Sequence, residues 1–439
     1  MRKTILTVAA LLCGLVSNAQ NVPWTLAGCI EYALDNNLSI KQSDINVAQR
    51  EIAVNTAESR RLPSLSASSS QNFSFGRGLT EDNTYSNTNT TSTSFSIGSD
   101  VPVFNGFQIK NNIELSRLDL QAATADLEKA KDDISVAVAQ AYVQILYNRE
   151  ILGVANEQVA IDSLQVERLR EMAANGRSSR AEVSAQEATL AQSRVSLTQA
   201  QANLSLAILD LTQLLELPSP EGFAVVRPDA EAVRTGLLMD PEEIYAEAVS
   251  FKPQIEAESL RLDSALKNVD IAKSAKLPSL SLSGGLGTNY YKANSYTAAP
   301  FYDQLSNKFS QYLNLSLNIP IFSRLATRNQ IRTARLSVRN QEIQLESAKK
   351  QLYKEIQQAY YNAVAAQDKY RSSMVAQQSA KDAFELVRAK YENGKSGITE
   401  FNEAKGRFVS AGSDLAQARY SYLYQSRLLD FYRGLDLNF

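Results

Sequence analysis

The chain has 439 residues, 45 Lys plus Arg against 47 Asp plus Glu, 44% hydrophobic residues, two cysteines and no histidine. The near-balanced charge offers no basic patch for nucleic acid, and the length supplies ample material for a core. Without histidine there is no Ser-His-Asp or Cys-His nucleophile, no histidine-liganded metal and no imidazole relay, so an enzyme or metal site would have to rest on carboxylates, Lys or Tyr.

The first predicted element is a secretory signal over residues 1–19. Arg2 and Lys3 precede an apolar run from Ile5 to Val16, and Ser17-Asn18-Ala19 places small residues where a signal peptidase reads. The run is too short to cross a bilayer as a helix. Removing Arg2 and Lys3 takes the formal charge from -2 to about -4. Cleavage also removes Cys13, leaving Cys29 alone and no intrachain disulfide. Leu12 precedes Cys13 where a lipoprotein signal wants a small residue, so no N-terminal lipid is expected. No later stretch has 18 uncharged apolar residues, which leaves a periplasmic protein, a secreted one or a membrane β-barrel.

The mature chain reads as a first repeat over 20–217, a connector over 218–239 and a second repeat over 240–439. Within the first, a β-hairpin is predicted at about 64–104. Leu65, Ala67, Phe73 and Phe75 alternate with Ser66, Ser68, Ser74 and Gly76, and Thr93 to Val103 alternates more weakly. Runs of about 10 residues match a tilted membrane strand. Long helices follow at about 105–175 and 178–216. Ile113, Leu120, Leu127, Ile134 and Ala141 fall seven apart, as do Val183, Leu190, Leu197, Leu204 and Leu211. Small residues such as Ala200 and Ala207 permit close helix approach along such a seam. Asn175-Gly176 reverses the chain between them, because both residue types tolerate the left-handed conformation. Pro218, Pro220 and Gly222 then mark the connector. Cys29 is read as a small buried residue on an amphipathic helix.

The second copy repeats the plan. Leu62-Pro63-Ser64-Leu65-Ser66 recurs 215 residues later as Leu277-Pro278-Ser279-Leu280-Ser281. Val101-Pro102-Val103-Phe104 recurs as Ile319-Pro320-Ile321-Phe322, Gln140-Ala141-Tyr142 as Gln358-Ala359-Tyr360, and Asn175-Gly176 as Asn393-Gly394, all shifted by 218. The predicted hairpin is at about 279–322, with Leu313, Leu315, Leu317, Ile319 and Ile321 alternating with polar residues and Pro320. Helices are predicted at about 324–392 and 396–433, carrying Ile331, Val338, Leu345, Leu352 and Ala359, then Phe401, Phe408, Leu415, Tyr422 and Leu429. Phe73, Phe75, Phe95, Tyr290, Tyr291 and Phe309 lie toward one strand end, as interfacial aromatics do. Arg77 to Thr91 and Lys292 to Lys308 read as long polar turns. Four strands cannot close in lipid, so a membrane-spanning form must oligomerise; two copies give a filled barrel, and three give twelve strands and a lumen. Inward Asn72, Asn314 and Asn318 favour the wider choice.

The opening Trp24-Thr25-Leu26 with Cys29-Ile30, Ala33-Leu34 and Asn36-Asn37, the paired Leu-Pro-Ser-Leu-Ser entries, the paired Pro-x-Phe exits and the paired Asn-Gly tips resemble the TolC-like outer-membrane efflux proteins across the whole mature chain. The resemblance implies an α+β membrane protein in the cell outer membrane: a homotrimer with a 12-stranded β-barrel, continued by a long α-helical coiled-coil barrel in the periplasm. It implies a passive duct for small molecules, working with a periplasmic adaptor (membrane fusion) protein and an inner-membrane pump, in contact with outer-membrane lipid and with no nucleic acid, cofactor, metal or catalytic residue. A duct for type I protein secretion is the alternative within transport, and a non-channel periplasmic coiled-coil scaffold the alternative from another class. The family narrows its periplasmic entrance with acids just beyond the second tip. Here Glu400 and Glu403 match, with Glu182 the first-copy equivalent of Glu400. Family members commonly carry Asp at these positions, so the longer Glu side chains alter the aperture. Asn175, Gly176, Arg177, Asn393, Gly394 and Lys395 are the matching helical-tip candidates for adaptor contact. From the residues alone, Ser179-Arg180-Ala181-Glu182 fits a capping box, and that role is preferred for Glu182. For Glu400 and Glu403 both a carboxylate ring and dipole-stabilising helix starts stand. Arg180 and Tyr391 join the tip residues as contacts to neighbours or adaptor, or as ordinary solvated or packed side chains.

Overall fold

The computed structural model describes residues 23–79, 83–228, 238–294 and 297–438. The predicted signal lies outside the described residues. In chain order the elements are α1 (Leu26–Asn36), α2 (Leu38–Ser59), β1 (Ser64–Ser74), β2 (Arg77–Leu79), β3 (Tyr85–Asn87), β4 (Thr90–Asn105), α3 (Gln108–Ala174), α4 (Arg180–Leu214), α5 (Pro241–Phe251), α6 (Pro253–Ser274), β5 (Ser279–Ala293), α7 (Phe301–Asn307), β6 (Ser310–Asn318), α8 (Ala326–Glu392) and α9 (Ile398–Tyr432). The lengths of α3 and α8 are equal, 67 residues each, as are those of α4 and α9, 35 each. At ~1.5 Å per residue α3 and α8 are about 100 Å long. The described residues divide into two compact units, one made of 23–44, 126–228, 238–255 and 347–438, the other of 45–79, 83–125, 256–294 and 297–346.

The first unit is helical, and its seams are the heptad residues. Leu211, Leu352, Phe401, Tyr422 and Leu429 are buried, and Ala200, Ala207 and Ala418 bury beside them. The core gathers Leu26, Cys29 and Ala33 of α1 with Val138, Tyr142, Ile145 and Leu146 of α3, Leu211 of α4, and Tyr420 and Leu423 of α9. Removing the Val, Leu and Ile side chains among them from water stabilises by roughly 1.5–3 kcal/mol each. Tyr142 Oη donates to Trp24 O (3.1 Å) and Val226 O (2.7 Å), which ties the start of α1 and the connector to α3. Thr25 caps α1 through Gly28 N–H, and Asp240 caps α5 with Pro241 at the first helical position. Burial pushes the Cys29 thiol up to about 12.

The second unit holds an antiparallel sheet in the order β1-β4-β5-β6, with α2, α6 and the adjoining parts of α3 and α8. Its register sorts the side chains by face, since directly paired residues share one. Leu65–Ser99–Gly284–Leu313, Ala67–Ile97–Leu286–Gln311, Val101–Leu282–Leu315 and Phe104–Leu280–Leu317 form mostly apolar rows on one side. The rows between them, Ser66–Gly98–Gly285–Tyr312 and Ser68–Ser96–Gly287–Ser310 among others, lie on the opposite side. There Ser68 bonds Ser96 and Ser70 bonds Ser94, both at 2.7 Å. Tyr312 covers Gly285 so closely that a Cβ there would meet its ring at 2.7 Å. Among the described residues β1 pairs only with β4 and β6 only with β5, so both outer edges of the sheet have no strand partner there.

Three details differ from the sequence reading. The last strand stops at Asn318, short of Ile319 and Ile321, because Pro320 has no N–H for a ladder. The stretch 292–308 is not wholly a turn: it contains α7, whose Gln304 bonds both backbone groups of Tyr291 at 3.0 Å. The other loop contains the β2–β3 ladder. The predicted aromatics do collect at the loop end, where Phe73 faces Thr91 and Tyr290 faces Thr93.

Candidate functional site at the helical tips

Two interhelical turns of the first unit, with the helix ends beside them, carry the tip and aperture candidates, and the turns are built alike. Asn175 N–H donates to Glu171 O (3.2 Å), Gly176 takes φ +70°, and Arg177 N–H returns to Met172 O (2.8 Å). At the second tip Asn393 N–H donates to Ala389 O (3.2 Å), Gly394 takes φ +70°, and Lys395 N–H returns to Lys390 O (2.8 Å). Both are helix-ending turns of the Schellman type, and only glycine enters that conformation without strain. The Asn175 and Asn393 amides each donate to a helix carbonyl at 2.8 Å. Asn175, Gly176, Arg177, Asn393, Gly394 and Lys395 are all exposed.

The acids then part company. Glu182 is the far half of a capping box: it accepts from Ser179 N–H (3.0 Å), and Ser179 Oγ accepts from Glu182 N–H (3.2 Å). Ser178 Oγ adds a 2.5 Å bond to the same carboxylate, and these donors hold its pKa below the usual carboxylate range. Glu400 accepts the equivalent bond from Ser396 Oγ (2.5 Å), but Gly397 provides no side-chain cap. Both Glu400 and Glu403 are exposed on the first turns of α9.

Tyr391 does not project to solvent. It packs against Phe401 (ring centroids 5.0 Å) beside Phe384 and Phe408, with the Arg168 guanidinium 5.1 Å above its ring. Burial raises its phenol pKa, which Arg168 partly offsets. Arg168 also donates to Glu392 O (3.0 Å), so α3 grips the end of α8.

Deeper in the same unit is a polar cluster that the sequence reading did not identify. Asp162 of α3 and Lys405 of α9 form an ion pair whose side chains are 0% and 4% exposed. Gln186 and Ser193 of α4 donate to the carboxylate at 3.1 and 2.5 Å, and Asn402 donates to Gln186 at 3.3 Å. Three helices therefore meet on one buried charge pair. Comparing the copies could have exposed it: residues 218 positions away from Asp162, Gln186, Ser193 and Lys405 are Ala380, Ala404, Ala411 and Glu187. Among the described residues no His, Cys, Asp or Glu cluster is arranged to hold a metal.

The outer membrane efflux protein family matches this chain twice, over residues 29–216 and 244–434. The outer membrane efflux protein BepC of Brucella suis is 24% identical over 429 residues, spanning 97% of this chain and 89% of that one. Among solved structures, the CmeC outer membrane channel of Campylobacter jejuni superposes with a TM-score of 0.78 at 17% identity, covering 95% of this chain and 87% of CmeC. The outer membrane protein VceC of Vibrio cholerae gives 0.75 at 19% identity, covering 94% and 97%. With both copies matched separately and nearly the whole chain superposed on channels of this architecture, the protein belongs to the outer membrane efflux protein family.

Proposed function

We propose that the chain is the outer-membrane duct of a tripartite export system, a passive conduit for small molecules fed by a periplasmic adaptor and an inner-membrane pump. The family is one of outer-membrane channels, and the chain resides in that membrane. The observation that carries the proposal is the sheet: four strands, one apolar face, one hydroxyl- and amide-rich face and two unpaired edges. In lipid such edges must be closed by other copies, since each unsatisfied backbone group costs several kcal/mol. Three copies give twelve strands with a wet interior. The helices beside the edge strands support this assembly. Ile45 and Ile52 on α2, and Leu336 and Ile343 on α8, are exposed and seven residues apart, as an antiparallel seam between neighbouring copies requires.

At the tips, Glu400 and Glu403 from three copies form a ring of carboxylates that favours cations and narrows the entrance. The exposed Asn175-Gly176-Arg177 and Asn393-Gly394-Lys395 turns meet the adaptor. The family's name supports efflux of small molecules as the reading proposed over protein secretion. The test is purification from outer membrane in detergent, determination of the oligomer, and planar-bilayer conductance with multivalent cations. A trimer whose conductance is blocked by such cations, with block weakened in Glu400→Gln plus Glu403→Gln, supports both duct and ring. A monomer soluble without detergent overturns the duct; unchanged block in the double variant removes the ring alone.

A further inference from the structure

Immediately below the sheet, α8 carries an unusual charge pattern. From residue 304 to 341 there are six cations, Lys308, Arg324, Arg328, Arg332, Arg335 and Arg339, and no acid. The four arginines within α8 recur at intervals of four, three and four, which is one face of a helix, and Arg324 precedes them at the corner before Ala326. Among the described residues Arg339 has Glu342 at 3.8 Å, whereas Arg324, Arg328, Arg332 and Arg335 have no carboxylate partner. The first copy handles the same face differently: Glu114 interrupts it and takes Lys267 at 2.6 Å, and Arg117 takes Glu58 at 2.6 Å.

Backbone stereochemistry says which way this face looks. In β5 the odd residues bear the polar side chains, and their backbone groups point toward β6: Gly287 O accepts from Ser310 Oγ, and Tyr291 bonds Gln304 of α7, beyond which β6 begins. For an L-residue in an ascending strand with its side chain toward the observer, N–H and C=O lie to the observer's right. An observer on the polar side therefore sees β6 to the right of β5, and the chain runs clockwise viewed from the loop end. A right-handed helix also turns clockwise as it recedes from its N-terminus. On α8 the flank toward α6 carries buried Ile331 and Gln341, which donates to Glu258 at 2.6 Å. At about 100° per residue Arg328, Arg332, Arg335 and Arg339 follow that flank clockwise by roughly a quarter turn, on the side of the sheet's apolar face, and Arg324 lies at the corner just above them. The opposite face carries Thr333, Ser337 and Asn340, which line a groove with Ser264 and Asn268 of α6.

Two further observations single out the upper end. Ile321 and Phe322, just before the stripe, are 94% and 76% exposed. Arg324 sits at φ +49° and Leu325 at +65°, the corner that the first copy builds with Gly106 (+63°) and Phe107 (+66°). Glycine occupies such a position freely and arginine does not, so the second copy holds a strained residue where its twin avoids the strain. Depth separates the arginines. The headgroup layer is roughly 5–8 Å per leaflet, and Arg328 lies about 3 Å below the start of α8 but Arg339 about 20 Å.

We infer that Arg324 and Arg328, capped by Ile321 and Phe322 at the edge of the apolar face, bind the phosphate of anionic phospholipids in the periplasmic leaflet. This rests on the reading of the sheet as the wall of a closed barrel. Phosphate and guanidinium match in charge and fork geometry, and the adjoining side chains lie against acyl chains. The test uses the full mature protein in neutral detergent, with native mass spectrometry of retained phosphatidylglycerol against phosphatidylcholine, and inorganic phosphate as a competitor. The wild type is expected to retain phosphatidylglycerol selectively, less so as salt rises. Arg324→Gly plus Arg328→Gln should lose roughly thirtyfold in affinity, and Arg339→Gln little. Arg324→Gly alone should weaken retention without lowering thermal stability, because glycine fits the corner, and this separates binding from folding. No preference in the wild type, equal loss in Arg339→Gln, or displacement by inorganic phosphate at equal concentration overturns the lipid site. A protein that is not a trimer overturns the barrel reading first; a trimer without lipid preference overturns only this inference.

Discussion

Lys405→Met is the most informative single perturbation of the helical unit. The change keeps the length and most of the volume of the side chain while deleting its charge. Asp162 would then sit fully buried with bonds from Gln186 and Ser193 but no cation. Breaking a buried pair from one side costs about 3–5 kcal/mol, because the remaining charge is left uncompensated. The neutral pair Asp162→Asn with Lys405→Met keeps an acceptor for Gln186 and removes both charges, so it should recover most of that loss. Amide exchange along α3, α4 and α9 in the purified oligomer reads the local opening free energy. The expected result is an acceleration of about a hundredfold to several thousandfold around residues 400–410 in Lys405→Met. The double variant should fall at least tenfold short of the sum of the singles. A change below about threefold, or strict additivity, would mean that the pair carries no net charge coupling and would refute the reasoning.

The remaining expectations are smaller. Gly176→Ala and Gly394→Ala meet no neighbouring atom, so each should cost only the left-handed backbone penalty of ~1–2 kcal/mol, seen as faster exchange confined to its own turn. Glu182 has a pKa lowered by folding, so its contribution is complete above the ordinary carboxylate range near ~4.3 and is lost as pH falls through its depressed value. Fraying at the start of α4 should therefore appear on acidification and be largely pH-independent in Glu182→Gln, which amide exchange across pH can check. Cys29, buried with its pKa raised to about 12, should resist maleimide in the native protein and react on unfolding; labelling of the native form within minutes at neutral pH would contradict its burial. Gly285→Ala should impair barrel assembly, read as less heat-resistant oligomer on gels, because the new methyl collides with Tyr312 and Ile97 O at 2.7 and 2.8 Å.

Periodicity alone carried the sequence reading a long way, for a physical reason. A seven-residue seam and a two-residue alternation are local consequences of helix and strand geometry, and the second copy provided each signal twice. The Asn-Gly tips were legible because few other residues reverse a helix without strain. The helices at Leu26–Asn36, Leu38–Ser59, Pro241–Phe251 and Pro253–Ser274 were not delimited, since they lie outside the conspicuous heptads. The sequence leaves Tyr391 open between tip surface and core, and Arg168 and Phe401 around its ring place it in the core.

The sequence by itself determined the duplicated unit, the strand and helix types and the reversal points, because each depends on neighbours within a few residues. Only the tertiary structure decided that Asp162, Gln186, Ser193, Asn402 and Lys405 share one buried network, since it joins residues up to 243 positions apart. Only the sheet register assigned every strand residue to an apolar or a polar face, and only the backbone hand turned the arginines of α8 toward the apolar one. Alternation reports that two faces exist; pairing and chirality decide what each of them meets.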